Sequence, residues 1–256
     1  MLSSIHVPTA PRARRLRSLF PLALAAALAA APAPGHADDD IDSLQLLNQR
    51  EFRLLSEDLG AALSFKSMIP SESLGVTGFD VGVSISGTRL RNRGLLERAS
   101  SGSDFGSTLP LASVRIHKGL PFGIDIGAAY SIVPGTEFGL IGGEVRWAFI
   151  EGSAAIPAVA VRGTATKLVG VDQLDLETTS LDVSVSKGFL NVTPYGGVGK
   201  VWTNSKPDGV PGLAKESFSQ NKVFAGVNLF LGFNLAFEVD RTGDITSYGF
   251  KGGFRF

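Results

Sequence analysis

The last nine residues of the chain, Tyr248-Gly-Phe250-Lys-Gly-Gly-Phe254-Arg-Phe256, decide how the rest of the sequence is interpreted. Large apolar side chains occupy every second position except Gly252, and glycine, lysine or arginine stands between them. A period of two is the spacing of a β-strand whose two faces meet different surroundings. Because chain termini are usually frayed and solvated, so apolar an ending is unusual for a soluble domain. The stretch therefore predicts a final strand with one aromatic face and one polar face.

The same alternation recurs along most of the chain. Between residues 79 and 86, for example, phenylalanine, valine and isoleucine alternate with aspartate, glycine and serine. Ten segments of this kind are each about long enough for a tilted strand to cross the hydrocarbon layer of a membrane. They are residues 76–90, 108–118, 122–133, 138–150, 154–168, 174–188, 192–204, 217–230, 233–241 and 245–256.

The C-terminal stretch resembles the last strand of the bacterial outer-membrane β-barrels, whose terminal aromatic residue is read by the assembly machinery. The resemblance implies a transmembrane β-barrel in a small porin-like protein of the Gram-negative envelope. Together with the alternating segments it predicts an all-β fold, an antiparallel barrel of about ten strands with a short N-terminal helix. It also implies that the barrel-assembly machinery, periplasmic chaperones and outer-membrane lipid are partners. The expected assembly signal consists of Tyr248, Phe250, Phe254 and Phe256.

The first 37 residues have the composition of a secretory signal peptide. Four arginines between residues 12 and 17 precede an apolar run over residues 19–31, and Gly35-His36-Ala37 supplies a small-residue cleavage site. The sequence thus predicts cleavage after Ala37, export, and residence in the cell outer membrane. The 256-residue chain contains no cysteine, which excludes disulfides and thiolate metal sites.

Residues 38–58 are predicted to be a separate N-terminal segment. An acidic run is followed by a helix from Ser43, the expected N-cap, to about Asp58. This helix could plug the barrel or lie at its periplasmic rim, and the sequence leaves both possibilities open. Residues 59–66 alternate like a strand, so the barrel is assigned to residues 59–256, with twelve strands as the alternative to ten because such barrels have even numbers.

The connections between the predicted strands fall into two alternating classes. Those at 118–121, 150–152, 187–190 and 231–233 are short, whereas 91–107 and 204–215 are long. In this class of barrel the short turns face the periplasm. Four arginines at the start of the longest loop could pair with lipopolysaccharide phosphates, although an ordinary solvated loop is the simpler interpretation. They are Arg89, Arg91, Arg93 and Arg98.

The strand phase opposite the apolar one carries charges of both signs, which must face inward because a charge facing lipid at mid-depth costs about 2–4 kcal/mol. The predicted lumen residues are Asp80, Arg115, Asp125, Glu144, Arg146, Arg162, Asp182, Lys222, Glu238, Lys251 and Arg255. Their nearly equal signs favour a mutually paired network that fills a narrow lumen. The alternative is a narrow channel for small solutes, lined by Arg115, Arg146, Arg162 and Lys251.

The sequence contains few candidates for catalytic or metal-binding residues. His117 is the one histidine outside the predicted signal peptide, and it shares the inward phase with Ser113 and Arg115. A hydrolase would need a nucleophile beside such a base, but serine is so abundant here that a nearby serine is expected by chance. We therefore predict no catalytic residue, no metal, no cofactor and no nucleic-acid partner. The favoured function is a structural or surface-interaction barrel with a filled lumen, followed by the narrow channel and, least favoured, a hydrolase centred on His117.

Overall fold

The computed structural model describes residues 41–100 and 106–256. Within them, ten antiparallel strands close into a barrel in which sequence neighbours pair and the first strand pairs with the last. The strands are β1 (Phe79–Arg89), β2 (Thr108–Gly119), β3 (Ile124–Ile132), β4 (Gly139–Ile150), β5 (Ala158–Val169), β6 (Leu174–Ser186), β7 (Val192–Pro207), β8 (Glu216–Phe230), β9 (Asn234–Thr242) and β10 (Ile245–Arg255). The ten-strand prediction is confirmed, since each of the ten segments named above coincides with one strand. The predicted signal peptide and Asp38–Asp40 lie outside the described residues.

The barrel closes where β1 meets β10. Asp80 lies opposite Arg255, and the pairing continues to Arg89 opposite Thr246. Beyond β10, Phe256 and Phe79 exchange backbone hydrogen bonds of 3.0 and 2.6 Å, and their rings stack with centroids 5.7 Å apart. The aromatic end of the chain is therefore built into the barrel seam.

The connections define two ends of the barrel. We call the end that carries Phe256 and the β2–β3, β4–β5, β6–β7 and β8–β9 connections the turn end, and the opposite end the loop end. All four connections predicted to be short lie at the turn end. The tightest of them spans 231–233, where Gly232 adopts a φ of +83°, a conformation that favours glycine.

The N-terminal segment differs from its prediction. A short 3-10 helix (Leu44–Leu46) precedes helix α1 (Gln49–Leu63), whose N-cap is Asn48 rather than Ser43. The expected end near Asp58 and the strand-like interpretation of 59–66 are both wrong, and with them the twelve-strand alternative. Leu55, Leu59 and Leu63 recur every four residues, and the intervening alanines are strong helix formers, so the helical period prevails over the apparent alternation.

The β1–β2 connection, predicted to be a long loop, contains a second helix, α2 (Arg93–Ala99). No helix among the described residues is both long and apolar enough to cross a membrane. Helices α1 and α2 pack with the inner faces of the strands at the loop end to form one apolar cluster, the loop-end core. Its members are Ile41, Leu44, Leu47, Phe52, Leu55, Leu59, Ala62, Leu63, Leu90, Leu96, Ala99, Leu109, Leu111, Val133, Phe138, Leu140, Leu168, Leu174 and Leu176.

The outer wall carries a continuous apolar band. On β6, for example, the outward side chains of Leu181, Val183 and Val185 are apolar and about half exposed. Nearer the loop end, the outward positions of the same strand are polar, with Thr179 and Glu177. The inner face of the same strand is buried throughout. An apolar exterior around a polar interior is the reverse of a soluble barrel and matches a lipid environment.

Candidate functional site: a charged lumen around a threaded segment

The lumen is occupied by the chain itself. Helix α1 enters it from the loop end, and residues 64–78, here called the lumen segment, continue to the start of β1 at the turn end. Every residue from 58 to 71 is buried. The helix therefore lies inside the barrel, and the alternative position at the periplasmic rim is wrong.

The lumen segment contains neither helix nor strand, so its backbone groups need partners from the barrel wall. Cationic side chains of the wall donate to its carbonyl oxygens. Arg115 donates to the carbonyl of Lys66, Lys222 Nζ donates to that of Phe65 at 2.9 Å, and Arg146 donates to that of Pro70 at 2.5 Å. Three of the predicted inward cations thus bind backbone carbonyls, whereas the prediction was that the inward charges pair with one another.

Acceptors on the wall bind the N–H groups of the same segment. Met68 N donates to Glu238 Oε2 at 3.2 Å, and Leu74 N donates to Asp125 Oδ1 at 3.0 Å. Ser71 N is bound by the hydroxyl of a serine on β6 at 3.0 Å. The wall therefore satisfies both kinds of backbone group, as a buried irregular segment requires.

Other inward charges pair across neighbouring strands. Asp125 and Arg146 are register partners on β3 and β4, with 2.7 Å between Oδ2 and Nη2. Arg162 and Asp182 are register partners on β5 and β6 at 3.0 Å. Each pair is almost fully buried, so removing one partner would leave an uncompensated charge.

The remaining predicted lumen residues cluster near the turn end. Asp80 pairs with Lys251 and, at 3.1 Å, with Arg255. Ten of the eleven predicted residues are buried, and the side chain of Arg255 is 24% exposed. The prediction omitted Asp240, which pairs with Lys222 at 3.3 Å and lies two residues from Glu238 in the same strand phase. That spacing was a signal that could have found it.

His117 lies between two carboxylates. Its side chain is fully buried, Nε2 is 3.2 Å from Glu144 Oε1, and Nδ1 is 3.8 Å from Asp80 Oδ1. The hydroxyl of Ser113 bonds to Ser131 at 2.8 Å, and that of Ser67 donates to Glu144. Neither hydroxyl is bound to the imidazole, so neither is arranged as a nucleophile with its base.

The C-terminal end of α1 is capped by a buried lysine. Lys66 Nζ donates to the carbonyls of Ala61 and Ala62 at 3.0 Å and to that of Ser64 at 3.2 Å. A cation at the C-terminus of a helix compensates both the unpaired carbonyls and the helix dipole. The side chain thereby ends the helix inside the lumen and lets the chain continue in an irregular conformation.

Little free volume remains beside α1. Two cavities there measure about 10 and about 20 Å³. One water molecule needs about 10–15 Å³, so neither cavity admits a larger solute. The first is lined by the loop-end core, and the second lies lower, beside Phe65 and Arg115.

At the loop end, the N-terminal segment is hydrogen-bonded to helix α2 of the β1–β2 connection. Arg98 of α2 donates to Glu51 Oε1 at 2.8 Å and to the carbonyl of Leu46 at 2.6 Å. Hydrogen bonds from Arg98 and from the Asn48 N-cap lower the pKa of the Glu51 carboxyl below its usual value. Further along α1, the carboxylate of Asp58 accepts a hydrogen bond of 2.6 Å from the backbone N–H of Asn92.

No protein-family model and no curated protein matches the sequence. Solved structures do resemble it. The N-terminal β-barrel domain of Pseudomonas aeruginosa OprF is 14% identical over 71% of this chain and 99% of that chain, with a TM-score of 0.35. Ail, the attachment invasion locus protein of Yersinia pestis, is 12% identical over 72% and 99%, with a TM-score of 0.30. The KdgM porin is 8% identical over 69% and 99%, with a TM-score of 0.36.

The fold is that of an outer-membrane β-barrel. The closed ring of ten strands, the apolar outer wall and the buried polar lumen carry this conclusion. The resemblance to solved structures concerns the fold alone and assigns no ligand or activity.

Proposed function

We propose that this protein is a closed barrel of the outer membrane that acts through its outer surface and not through a pore. The turn end faces the periplasm and the loop end faces outward. The observation that carries the proposal is the lumen segment, whose backbone is hydrogen-bonded to the charged side chains that a channel would need for solutes.

The residues of the alternative solute path are all engaged. Arg115 and Arg146 hold carbonyls of the lumen segment, and Arg162 pairs with Asp182 while lying 5.0 Å from the centroid of the Phe224 ring. Lys251 pairs with Asp80. A conducting state would have to break several of these buried contacts together, which disfavours passive transport through the resting barrel.

The test is conductance of the refolded mature protein in planar bilayers. We expect no steps from the intact chain and steps from a variant that lacks residues 41–74, because this deletion removes α1 together with the hydrogen-bonded part of the lumen segment. Leu190→Ala, in a fully exposed turn-end position, serves as the control for handling and should be silent. Stable conductance of the intact chain would instead establish the narrow channel.

We also propose that Phe256 acts in assembly as well as in closure. Deleting it removes the ring that stacks on Phe79 and the two backbone bonds at the seam. The truncated protein should show impaired heat-modifiable migration and less protein in the outer membrane. Phe149→Ala, which removes a half-exposed aromatic side chain away from the seam, is the control. Normal assembly of the truncated chain would contradict the proposal.

A contact with lipopolysaccharide phosphates is proposed for Arg89 alone among the four loop arginines. Arg91, Arg93 and Arg98 pair with Asp244, Glu97 and Glu51. Arg89 is exposed at the loop end of β1, and none of the described carboxylates lies within ion-pair distance of it. Arg89→Gln should reduce the lipopolysaccharide that co-purifies with the protein, whereas Arg93→Gln should not; equal amounts in both variants would end the idea.

A further inference from the structure

The first described residues are held by loops at one end of the barrel. Ser43 N donates to the carbonyl of Ala99 in the β1–β2 connection at 2.9 Å, and Leu44 N donates to Gln173 of the β5–β6 connection at 3.3 Å. Gln49 exchanges hydrogen bonds of 2.7 and 3.1 Å with the backbone of Ala214 in the β7–β8 connection. Three separate connections at the loop end thus hold residues 43–49.

From there the chain runs through the lumen from the loop end towards the turn end. The hydroxyl of Ser56 bonds to that of Ser205 on β7 at 2.8 Å, and the carbonyl of Leu63 accepts from Thr166 on β5 at 3.1 Å. Lower down, Met68 meets Glu238 and Leu74 meets Asp125, which is the second residue of β3 after its turn.

The descent ends among the turn-end connections. Gly119 N donates to the carbonyl of Gly78 at 3.0 Å, next to the β2–β3 turn. A Cβ at Gly119 would lie 2.0 Å from the carbonyl oxygen of Gly75, so the two backbones pass in close contact. The chain then enters β1, which pairs with β10 beside Phe256.

The stretch of residues 43–78 is held along its length by two kinds of interaction, apolar packing and hydrogen bonding. Its upper half contributes Phe52, Leu55 and Leu59 to the loop-end core, each no more than 3% exposed. Its lower half is hydrogen-bonded to buried charges of the wall. Withdrawal towards either end would expose apolar surface at the top and leave buried charges without partners below, so the threaded arrangement is the stable one.

From these contacts we infer that the chain passes through its own barrel and displays the 3-10 helix Leu44–Leu46, with the exposed side chains of Gln45 and Leu46, at the outer face of the membrane. The inference rests on the proposed function for the orientation of the barrel, but the threading itself rests only on the contacts above. This 3-10 helix and Phe256 then lie on opposite sides of the membrane.

The absence of cysteine from the sequence makes the inference testable by single-cysteine labelling of intact cells with a membrane-impermeant maleimide. Gln45→Cys and Leu46→Cys report on the N-terminal segment, because both positions are exposed and Leu46 is 57% exposed. Ala214→Cys reports on the loop end, and Leu190→Cys reports on the turn end. Heat-modifiable migration checks that each variant has folded, and permeabilised cells give the full labelling of each.

We expect Gln45→Cys, Leu46→Cys and Ala214→Cys to be labelled in intact cells and Leu190→Cys only after permeabilisation. Labelling of Ala214→Cys with protection of both N-terminal cysteines would overturn the display while leaving the proposed orientation in place. Protection of Ala214→Cys with labelling of Leu190→Cys would overturn the orientation and the display together. The two failures are therefore distinguishable.

Discussion

At the scale of single residues, the strongest expectation concerns the buried pair Asp125–Arg146. Asp125→Asn keeps the shape and the acceptor for Leu74 N but removes the charge that balances Arg146. Breaking a buried ion pair typically costs about 3–5 kcal/mol. Urea unfolding of the protein refolded in lipid vesicles should show a loss of this order.

The matched control is Asp175→Asn at the loop end. Asp175 pairs with Lys167 at 3.3 Å, but both side chains are nearly half exposed. Exposed pairs contribute at most about 1 kcal/mol, so this variant should unfold almost like the parent. Equal losses from the two substitutions would show that Asp125 does not balance a buried charge.

A second residue-scale prediction concerns Gly127, which faces the imidazole of His117. A Cβ at Gly127 would lie 2.3 Å from Cδ2 of that ring, too close for any contact, so Gly127→Ala must displace His117 from Glu144. Overpacking of this kind costs about 1–3 kcal/mol. Gly143→Ala on the adjacent strand is the control, because its Cβ would meet only a carbonyl oxygen at 3.5 Å. The same unfolding assay should separate the two variants, and equal midpoints would be the contrary result.

The face of the strand on which each side chain lies could be predicted from the sequence, whereas the groups that the inward side chains bind could not. Alternation with apolar neighbours is enough to turn Arg115 or Glu238 inward, because strand geometry has a period of two. What these side chains bind depends on the lumen segment, which has no periodic pattern and precedes the first strand in the chain. For that reason the sequence suggested mutual pairing, and hydrogen bonds to backbone carbonyls such as that of Lys66 were not foreseen.

At the scale of elements, helix α2 fastens α1 through Arg98, and this contact should respond to acid. Because the pKa of the Glu51 carboxyl is lower in the folded than in the unfolded chain, its contribution to stability is present above its ordinary pKa near 4.5 and is lost as the pH falls through the folded-state value. NMR titration of labelled glutamate should place Glu51 below its ordinary value. In Arg98→Leu its midpoint should return towards that value.

Arg93→Leu provides the control for this titration. Arg93 belongs to the same helix but pairs with Glu97 at 2.7 Å, so Glu51 should titrate as in the parent. A Glu51 midpoint that ignored Arg98→Leu would mean that the two side chains do not form the contact in the membrane-embedded protein.

Among the elements, the strands were predictable and the helices only partly so. Each strand repeats one alternation that its own residues specify. The end of α1 was placed near Asp58, because Leu59, Ala61 and Leu63 satisfy a period of two as well as a helical one. Helix α2 has only seven residues, which is too short for a helical period to stand out from a charged loop.

At the scale of the whole molecule, the lumen has two halves that use different forces. The loop-end half is the apolar core around α1, and the turn-end half is the charged network around the lumen segment. Outside, the apolar band surrounds both. The barrel is therefore stabilised by an interior that the chain supplies from its own N-terminus, and the proposed absence of a pore follows from that arrangement.

The apolar band also predicts where the molecule sits in the bilayer. Val183 on β6 is 48% exposed between Leu181 and Val185, whereas Thr179 shares its outward phase nearer the loop end. An arginine in the middle of a lipid-facing band costs about 2–4 kcal/mol, and one near the interface costs at most about 1 kcal/mol. Val183→Arg should therefore lower the free energy of unfolding in lipid vesicles by the larger amount and Thr179→Arg by the smaller. Equal effects would place the bilayer elsewhere on the barrel, because the two positions lie on the same face of the same strand, both receive arginine, and they differ in depth.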